Sequence, residues 1–171
     1  MTELLTSVSS GLAQITLNRP DALHALNTAM CVAMIEALVA WRDDGRIRAV
    51  LIDHEPGTRG FCAGGDIRML AESGKGDGKA AREFFFTEYR LNHLLFTYPK
   101  PIAAIMDGVT MGGGVGISMP AKFRIATLVA AFAATWLWVP PRSAWGPRGH
   151  RIVARLAEAQ LTPRALAAAR E

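Results

Sequence analysis

The sequence predicts an α/β fold, and three observations predict it. Short β-rich apolar runs at 12–18 (LAQITLN), 49–53 (AVLID) and 102–106 (IAAIM) alternate with stretches of helical periodicity. The second and third runs each lead into a glycine-rich turn, at 60–66 (GFCAGGD) and 108–116 (GVTMGGGVG). There is no internal repeat, and the length suits one domain.

Each element has its own signal. The run 12–18 alternates polar and apolar residues, as a strand with one buried face does. Pro20 and Asp21 make a turn. Asn27 or Thr28 caps a helix reaching about residue 44, with Met30, Met34, Ala37, Leu38 and Trp41 on one face, and Gly45 ends it. The runs 49–53 and 102–106 are continuously apolar, which suits strands covered on both sides. A short helix spans 67–72, followed by a polar loop at 73–79 (SGKGDGK). A long helix over about 80–97 carries Phe84, Phe85, Phe86, Tyr89, Leu91 and Leu95, and Tyr98-Pro99-Lys100-Pro101 breaks it. The second glycine turn opens another helix, and 122–126 (KFRIA) reads as a strand.

Composition excludes several classes. Half of the 171 residues are hydrophobic and 20% are charged, which suits a packed core rather than a disordered chain. A net charge of +4 is too mild to argue for nucleic acid. Cys31 and Cys62 form neither a disulfide framework nor a metal-ligand spacing, so no metal is expected. The longest apolar run, 126–139, has 14 residues where a membrane span needs roughly 20. The first eleven residues lack a basic n-region and a long apolar stretch. The expectation is a cytoplasmic protein with no membrane partner.

The two glycine turns carry the chemistry. Backbone N–H groups left unpaired in such turns can stabilise negative charge on a carbonyl oxygen. Taken singly, each is more readily an ordinary tight turn. The run MGGGVG is not a dinucleotide loop: it lacks the G-x-G-x-x-G spacing, and no acid lies about 20 residues on. Asp66 stands where it would cap the helix 67–72. Arg19 and Arg68 are candidates for phosphate contacts or solvated surface charge. His24, with no Ser or Asp partner in view, reads as a surface histidine.

Taken together, the turns resemble the crotonase superfamily. Gly60-Phe61-Cys62-Ala63-Gly64-Gly65-Asp66-Ile67 resembles its first motif. Lys100-Pro101-Ile102-Ala103-Ala104-Ile105-Met106-Asp107-Gly108 with Met111-Gly112-Gly113-Gly114-Val115-Gly116 resembles its second. Ile15-Thr16-Leu17-Asn18-Arg19-Pro20 and Ala25-Leu26-Asn27 are similar to its opening strand and turn, and the likeness covers roughly 11–127. Within the superfamily, Phe61 to Arg68, Glu88-Tyr89-Arg90-Leu91-Asn92 and Met111 to Ser118 are most similar to the 3-hydroxyisobutyryl-CoA hydrolases of valine catabolism. The resemblance implies a spiral of ββα units, commonly trimeric or hexameric, acting on acyl-CoA thioesters. Coenzyme A is then part of the substrate, and no other cofactor is implied. Carried over by motif position, the backbone N–H groups of Cys62 and Gly113 form an oxyanion hole. Glu88, Ala63, Gly64, Gly65, Asp66 and Gly112 contact substrate, although Glu88 is also readable as a solvated helix carboxylate. An enoyl-CoA hydratase or isomerase, or a non-catalytic CoA-binding fragment, are the other readings.

The resemblance stops near residue 130. The family continues with a segment of the type M-P-E…F-P-D-V-G-G, whose Glu and Asp do the chemistry. The expected places here hold Trp136 and Ala144, and no Asp or Glu occurs between Gly108 and Ala157. Tryptophans, prolines and arginines crowd the same stretch. We therefore expect a crotonase-like core over 1–127, incomplete at its C-terminal side, and a divergent tail over 128–171 without the catalytic pair, which is either translated out of frame or otherwise broken, or is genuine. Without the family's later helices, the core face of 80–97 is expected to be partly exposed and solubility to be poor.

Overall fold

The computed structural model describes residues 2–127 and 131–132. The division at 127/128 and the readings of the tail lie outside the described residues.

Strands β1 (Leu4–Ser9) and β2 (Leu12–Leu17) form an antiparallel hairpin, with Ser9 opposite Leu12. Its two-residue turn, Ser10 and Gly11, has positive φ at both positions, which matches strand twist. Strand β1 was not expected from the sequence. It is an edge strand whose side chains are exposed after Leu4, so no apolar alternation marks it. In β2, Ala13, Ile15 and Leu17 are fully buried and alternate with Leu12, Gln14 and Thr16, as period-2 patterning requires.

Asn27 caps α1 (Thr28–Arg42) by accepting the Met30 N–H at 2.9 Å. Met30, Cys31, Met34 and Leu38 form its buried stripe. Strand β3 (Ala49–His54) lies parallel to β2. After β4 (Gly60–Cys62), α2 (Ile67–Lys75) runs one turn further than expected and absorbs the start of the 73–79 loop. Helix α3 (Lys79–Phe96) packs on α1 and α2. Strands β5 (Ile102–Met106), β6 (Val109–Thr110), β7 (Phe123–Ala126) and β8 (Ala131–Phe132) follow, with α4 (Gly113–Ser118) after β6.

Two sheets result. The larger has the order β1-β2-β3-β5-β7 and is parallel from β2 onward. The smaller is β4-β6-β8, also parallel. Strands β4 and β6 lie inside the glycine motifs and are too short for periodicity to reveal. Their pairing sets one glycine turn beside the other.

The core face of α3 is covered, contrary to expectation: Phe84, Leu91, Leu94 and Leu95 are buried. Its exposed aromatics are Phe86, Tyr89 and Phe96, away from that buried face.

Tyr98 and Lys100 explain the break after α3. The Tyr98 hydroxyl donates to the Leu38 carbonyl at 2.7 Å. Lys100 Nζ donates to the Trp41 and Asp44 carbonyls at 2.5 and 2.7 Å. A cation thus closes the carbonyl end of α1, where the helix dipole favours it. Lys100→Met is expected to lower unfolding free energy by about 2 kcal/mol, through loss of its charge-assisted bonds to the Trp41 and Asp44 carbonyls. A urea titration showing no change in midpoint would contradict this.

Candidate active site

The first glycine turn is held by its neighbours' backbone. Cys62 pairs with Thr110 in the β4–β6 ladder, and its carbonyl accepts the Met111 N–H at 3.0 Å. In a parallel ladder, the N–H and C=O of one residue face the same neighbouring strand. The Cys62 N–H therefore points toward β6, not into a cleft. This corrects its assignment as an oxyanion-hole donor, which was carried over by motif position from the family resemblance. The thiol is also inert: it is fully buried, donates to the His24 carbonyl at 3.2 Å, and burial pushes it up to about 12.

Beyond Cys62 the chain is tied to the segment 23–26. Ala63 N–H donates to Leu23 O at 2.9 Å, Leu26 N–H to Gly64 O at 2.6 Å, and Asp66 N–H to Leu26 O at 2.8 Å. Gly64 takes φ of 99°, which only glycine adopts cheaply. These bonds engage the groups on either side of Gly65. The Gly65 N–H has no backbone acceptor among the described residues. Sequence reasoning missed the role of Leu26, because the strap works through backbone atoms that any residue possesses.

The second turn meets the first. A Cβ on Gly64 would lie 3.2 Å from Met111 O and 3.4 Å from Gly113 N, and one on Gly114 would overlap the Cys62 carbonyl. Helix α4 starts at this contact, with Gly114 N–H bonded to Met111 O at 2.8 Å. The Gly113 N–H opens the helix and, like that of Gly65, has no backbone acceptor among the described residues. Each of the touching turns thus offers unpaired donors, the Gly64 and Gly112 N–H groups also lacking a backbone acceptor among the described residues. Gly112 lies exposed at the junction, and Ala63 is half-buried.

Glu88 completes the group. Phe84, Thr87, Glu88, Leu91, Leu94 and Leu95 share the buried face of α3, so the helical period itself carries the carboxylate inside. Glu88 is 6% exposed, and a Cβ on Gly113 would strike its Oε1. Burial raises its pKa to about 7. The solvated-carboxylate reading therefore fails.

Other candidates are architectural. Asp66 caps α2, accepting from Arg68 N at 3.0 Å and Met69 N at 3.2 Å, and pairs with Arg19 at 2.6 Å. Arg19 also meets Glu3 at 3.0 Å and donates to Ala25 O at 3.0 Å, so it braces the opening turn rather than lying free on the surface. Arg68 is exposed.

His24 is not a surface residue but fully buried. Its Nδ1 accepts the Arg19 N–H at 2.9 Å, which leaves the proton on Nε2, 2.9 Å from Thr58 Oγ1. His54 Nδ1 meets the same hydroxyl at 2.8 Å. Burial, then the neighbouring His54, lowers His24 to about 4, so its ring is neutral and structural. Its partners are a backbone amide and a threonine 34 residues away, which no catalytic pattern anticipates.

A cavity of about 350 Å³, lined by Val8, Gly11, Trp41, Asp44, Arg46 and Ile47, lies at the other, amino-terminal edge of β2 and β3. Ligands of parallel sheets gather instead at the carboxyl ends of strands, where both glycine turns lie. Among the described residues no three His, Cys, Asp or Glu stand together as a metal site, and no helix is long and apolar enough to cross a membrane.

The chain is similar to known proteins in sequence and fold. Residues 12–135 match the family described as enoyl-CoA hydratase/isomerase. Mitochondrial 3-hydroxyisobutyryl-CoA hydrolase of Xenopus tropicalis is 46% identical over 119 residues, 70% of this chain and 31% of that protein. Small ribosomal subunit protein mS47 of Neurospora crassa is 42% identical over 125 residues, 71% of this chain and 24% of its own length. The crystal structure of a carnitinyl-CoA dehydratase from Mycobacterium thermoresistibile superposes with a TM-score of 0.74 at 45% identity, covering 77% of this chain and 38% of the dehydratase. The chain belongs to the enoyl-CoA hydratase/isomerase family, the crotonases. It spans about a third of the length of the curated relatives it matches.

The buried carboxyl gives a signed pH prediction. Glu88 rises from 4.5 to about 7, so the folded state binds the extra proton and loses stability as pH climbs through that window. Ionised Glu88 then weighs against folding by about 3 kcal/mol. Glu88→Gln should be more stable than the parent at pH 8 and nearly equal to it at pH 4, by denaturant titration. Equal stability at both pH values would show that the carboxyl is not desolvated.

Proposed function

We propose that this chain carries the thioester-binding half of a 3-hydroxyisobutyryl-CoA hydrolase-type site. The observation that supports it best is the pair of unpaired N–H groups, at Gly65 and Gly113, on touching turns beside a buried carboxyl. Two such donors polarise a thioester carbonyl and stabilise the oxyanion formed when a nucleophile adds to it. Gly65 takes the place first assigned to Cys62. The names and 41–46% identities of several hydrolase relatives favour this thioester class.

Hydrolysis needs more than a hole. Water must lose a proton as it adds to the carbonyl, and the departing thiolate must gain one. Glu88, titrating near 7, can hold or release one proton. The family's two later carboxylates are replaced at their expected places by Trp136 and Ala144, which do neither. The chain is therefore a binder of acyl-CoA with little or no turnover.

Calorimetry with 3-hydroxyisobutyryl-CoA and free CoA tests this, alongside a thiol-release assay. The thioester should bind more tightly than CoA, with no thiol released above the buffer rate. Gly113→Ala, whose Cβ meets Glu88 and lies 3.1 Å from Leu26 Cδ1, should weaken thioester binding about tenfold and leave CoA binding unchanged. A thioester that binds no better than CoA contradicts the hole. Rapid thiol release contradicts the loss of turnover.

A further inference from the structure

The strap at 23–26 carries a titratable group that the thioester reading does not use. Leu23 and His24 both take left-handed backbone, with φ of 48° and 55°. That conformation is costly for a residue with a side chain, and His and Asn bear it better than Leu. It also directs two successive carbonyls at the first glycine turn. Leu23 O accepts the Ala63 N–H at 2.9 Å, and His24 O accepts from the Cys62 thiol of β4 at 3.2 Å. The next tie, Leu26 N–H to Gly64 O at 2.6 Å, leads directly to the Gly65 amide.

The His24 ring holds this conformation from inside. Its Nδ1 accepts the Arg19 N–H at 2.9 Å, while the His24 backbone N–H donates to Arg19 O at 2.8 Å. Its Nε2–H donates to Thr58 Oγ1 at 2.9 Å, and Thr58 donates onward to Glu55 O at 3.1 Å. His54 of β3 shares the Thr58 hydroxyl, its ring centroid 5.2 Å from that of His24. The Arg19 guanidinium is engaged by Glu3 and by Asp66 at the head of α2. Both ring nitrogens of His24 are thus occupied in the neutral form. A proton added at Nδ1 sets donor against donor at Arg19, beside a second imidazole, in a fully buried site. Burial and then His54 accordingly lower His24 from 6.5 to about 4. The stability that the neutral ring contributes is complete above 6.5 and is lost as pH falls through about 4.

We propose that His24 is a positioning residue that works as a proton-operated latch: its unprotonated Nδ1 holds the strap against the first turn, and protonation releases the strap and with it the Gly65 donor. This rests on the thioester reading and adds a control to it. Binding of a thioester carbonyl, which uses the donor, follows the latch. Binding of free CoA, which does not, is indifferent to it.

The test is calorimetric binding of 3-hydroxyisobutyryl-CoA and free CoA to the full chain at pH 7 and at about pH 3.5, with far-UV circular dichroism at both. The parent's advantage for the thioester over CoA should fall about fourfold at the lower pH, with the helical signal kept. His24→Asn puts an amide oxygen where Nδ1 stands, tolerates left-handed backbone and does not titrate, so it should keep the advantage at both pH values. His24→Leu has no acceptor and should lose the advantage at pH 7. If His24→Leu does not fold, the comparison of His24→Asn with the parent decides alone. Four results overturn the latch and leave the thioester reading standing: a parent advantage that does not fall in acid, or falls only as the whole chain unfolds; an equal acid loss in His24→Asn; no advantage in His24→Asn at pH 7; or an undiminished advantage in His24→Leu. A parent that binds the thioester no better than CoA at pH 7 overturns both.

Discussion

The contact between the two glycine turns is the constraint on which the rest of the structure depends. Strand β4 lies against β6, Met111 N–H bonds to the Cys62 carbonyl, and a Cβ at Gly64 or Gly114 would press on the opposing backbone. Only chains without side chains at these points approach so closely. That approach starts α4 against the first turn and so places the Gly113 N–H. The strap at 23–26 fixes the other side, with His24 and Arg19 locking the strap in turn. Two buried imidazoles and an ion pair thus brace the strap and the turn it holds.

Against this frame, α3 sets a carboxylate where a core side chain belongs. Burial of an ionisable group without a cationic partner disfavours its charged form, and Glu88 accordingly titrates near neutrality. The arrangement is unfavourable for stability, and it leaves a carboxyl near its midpoint at neutral pH. Asn92 continues the same polar stripe one turn on. Glycine on α4 and polar residues on α3 make this helix seam unlike the apolar α1 face, where Met30, Met34 and Leu38 are buried.

Much of this was legible in the sequence. The strands at 12–18 and 102–106, the helix capped by Asn27, the Asp66 cap and both glycine turns follow from alternation, capping chemistry and glycine clustering. Other parts were not. Strand β1 escaped because its exposed face carries no pattern, and β4 and β6 because two or three residues hold no period. His24 looked exposed because its partners are backbone and a distant threonine. Cys62 was assigned a donor that its ladder engages, since residue order does not tell which way an amide points. Glu88 could have been placed inside, because it falls on the same helical stripe as Phe84, Leu91 and Leu95.

The most direct test of the central claim is the infrared carbonyl stretch of a 3-hydroxyisobutyryl-CoA labelled with ¹³C at the thioester carbon, measured free and bound to this chain. Two backbone donors at the carbonyl oxygen weaken the C=O bond, so the band should move to lower wavenumber on binding. A bound thioester whose band stays at its free position would show that the Gly65 and Gly113 amides do not form an oxyanion hole.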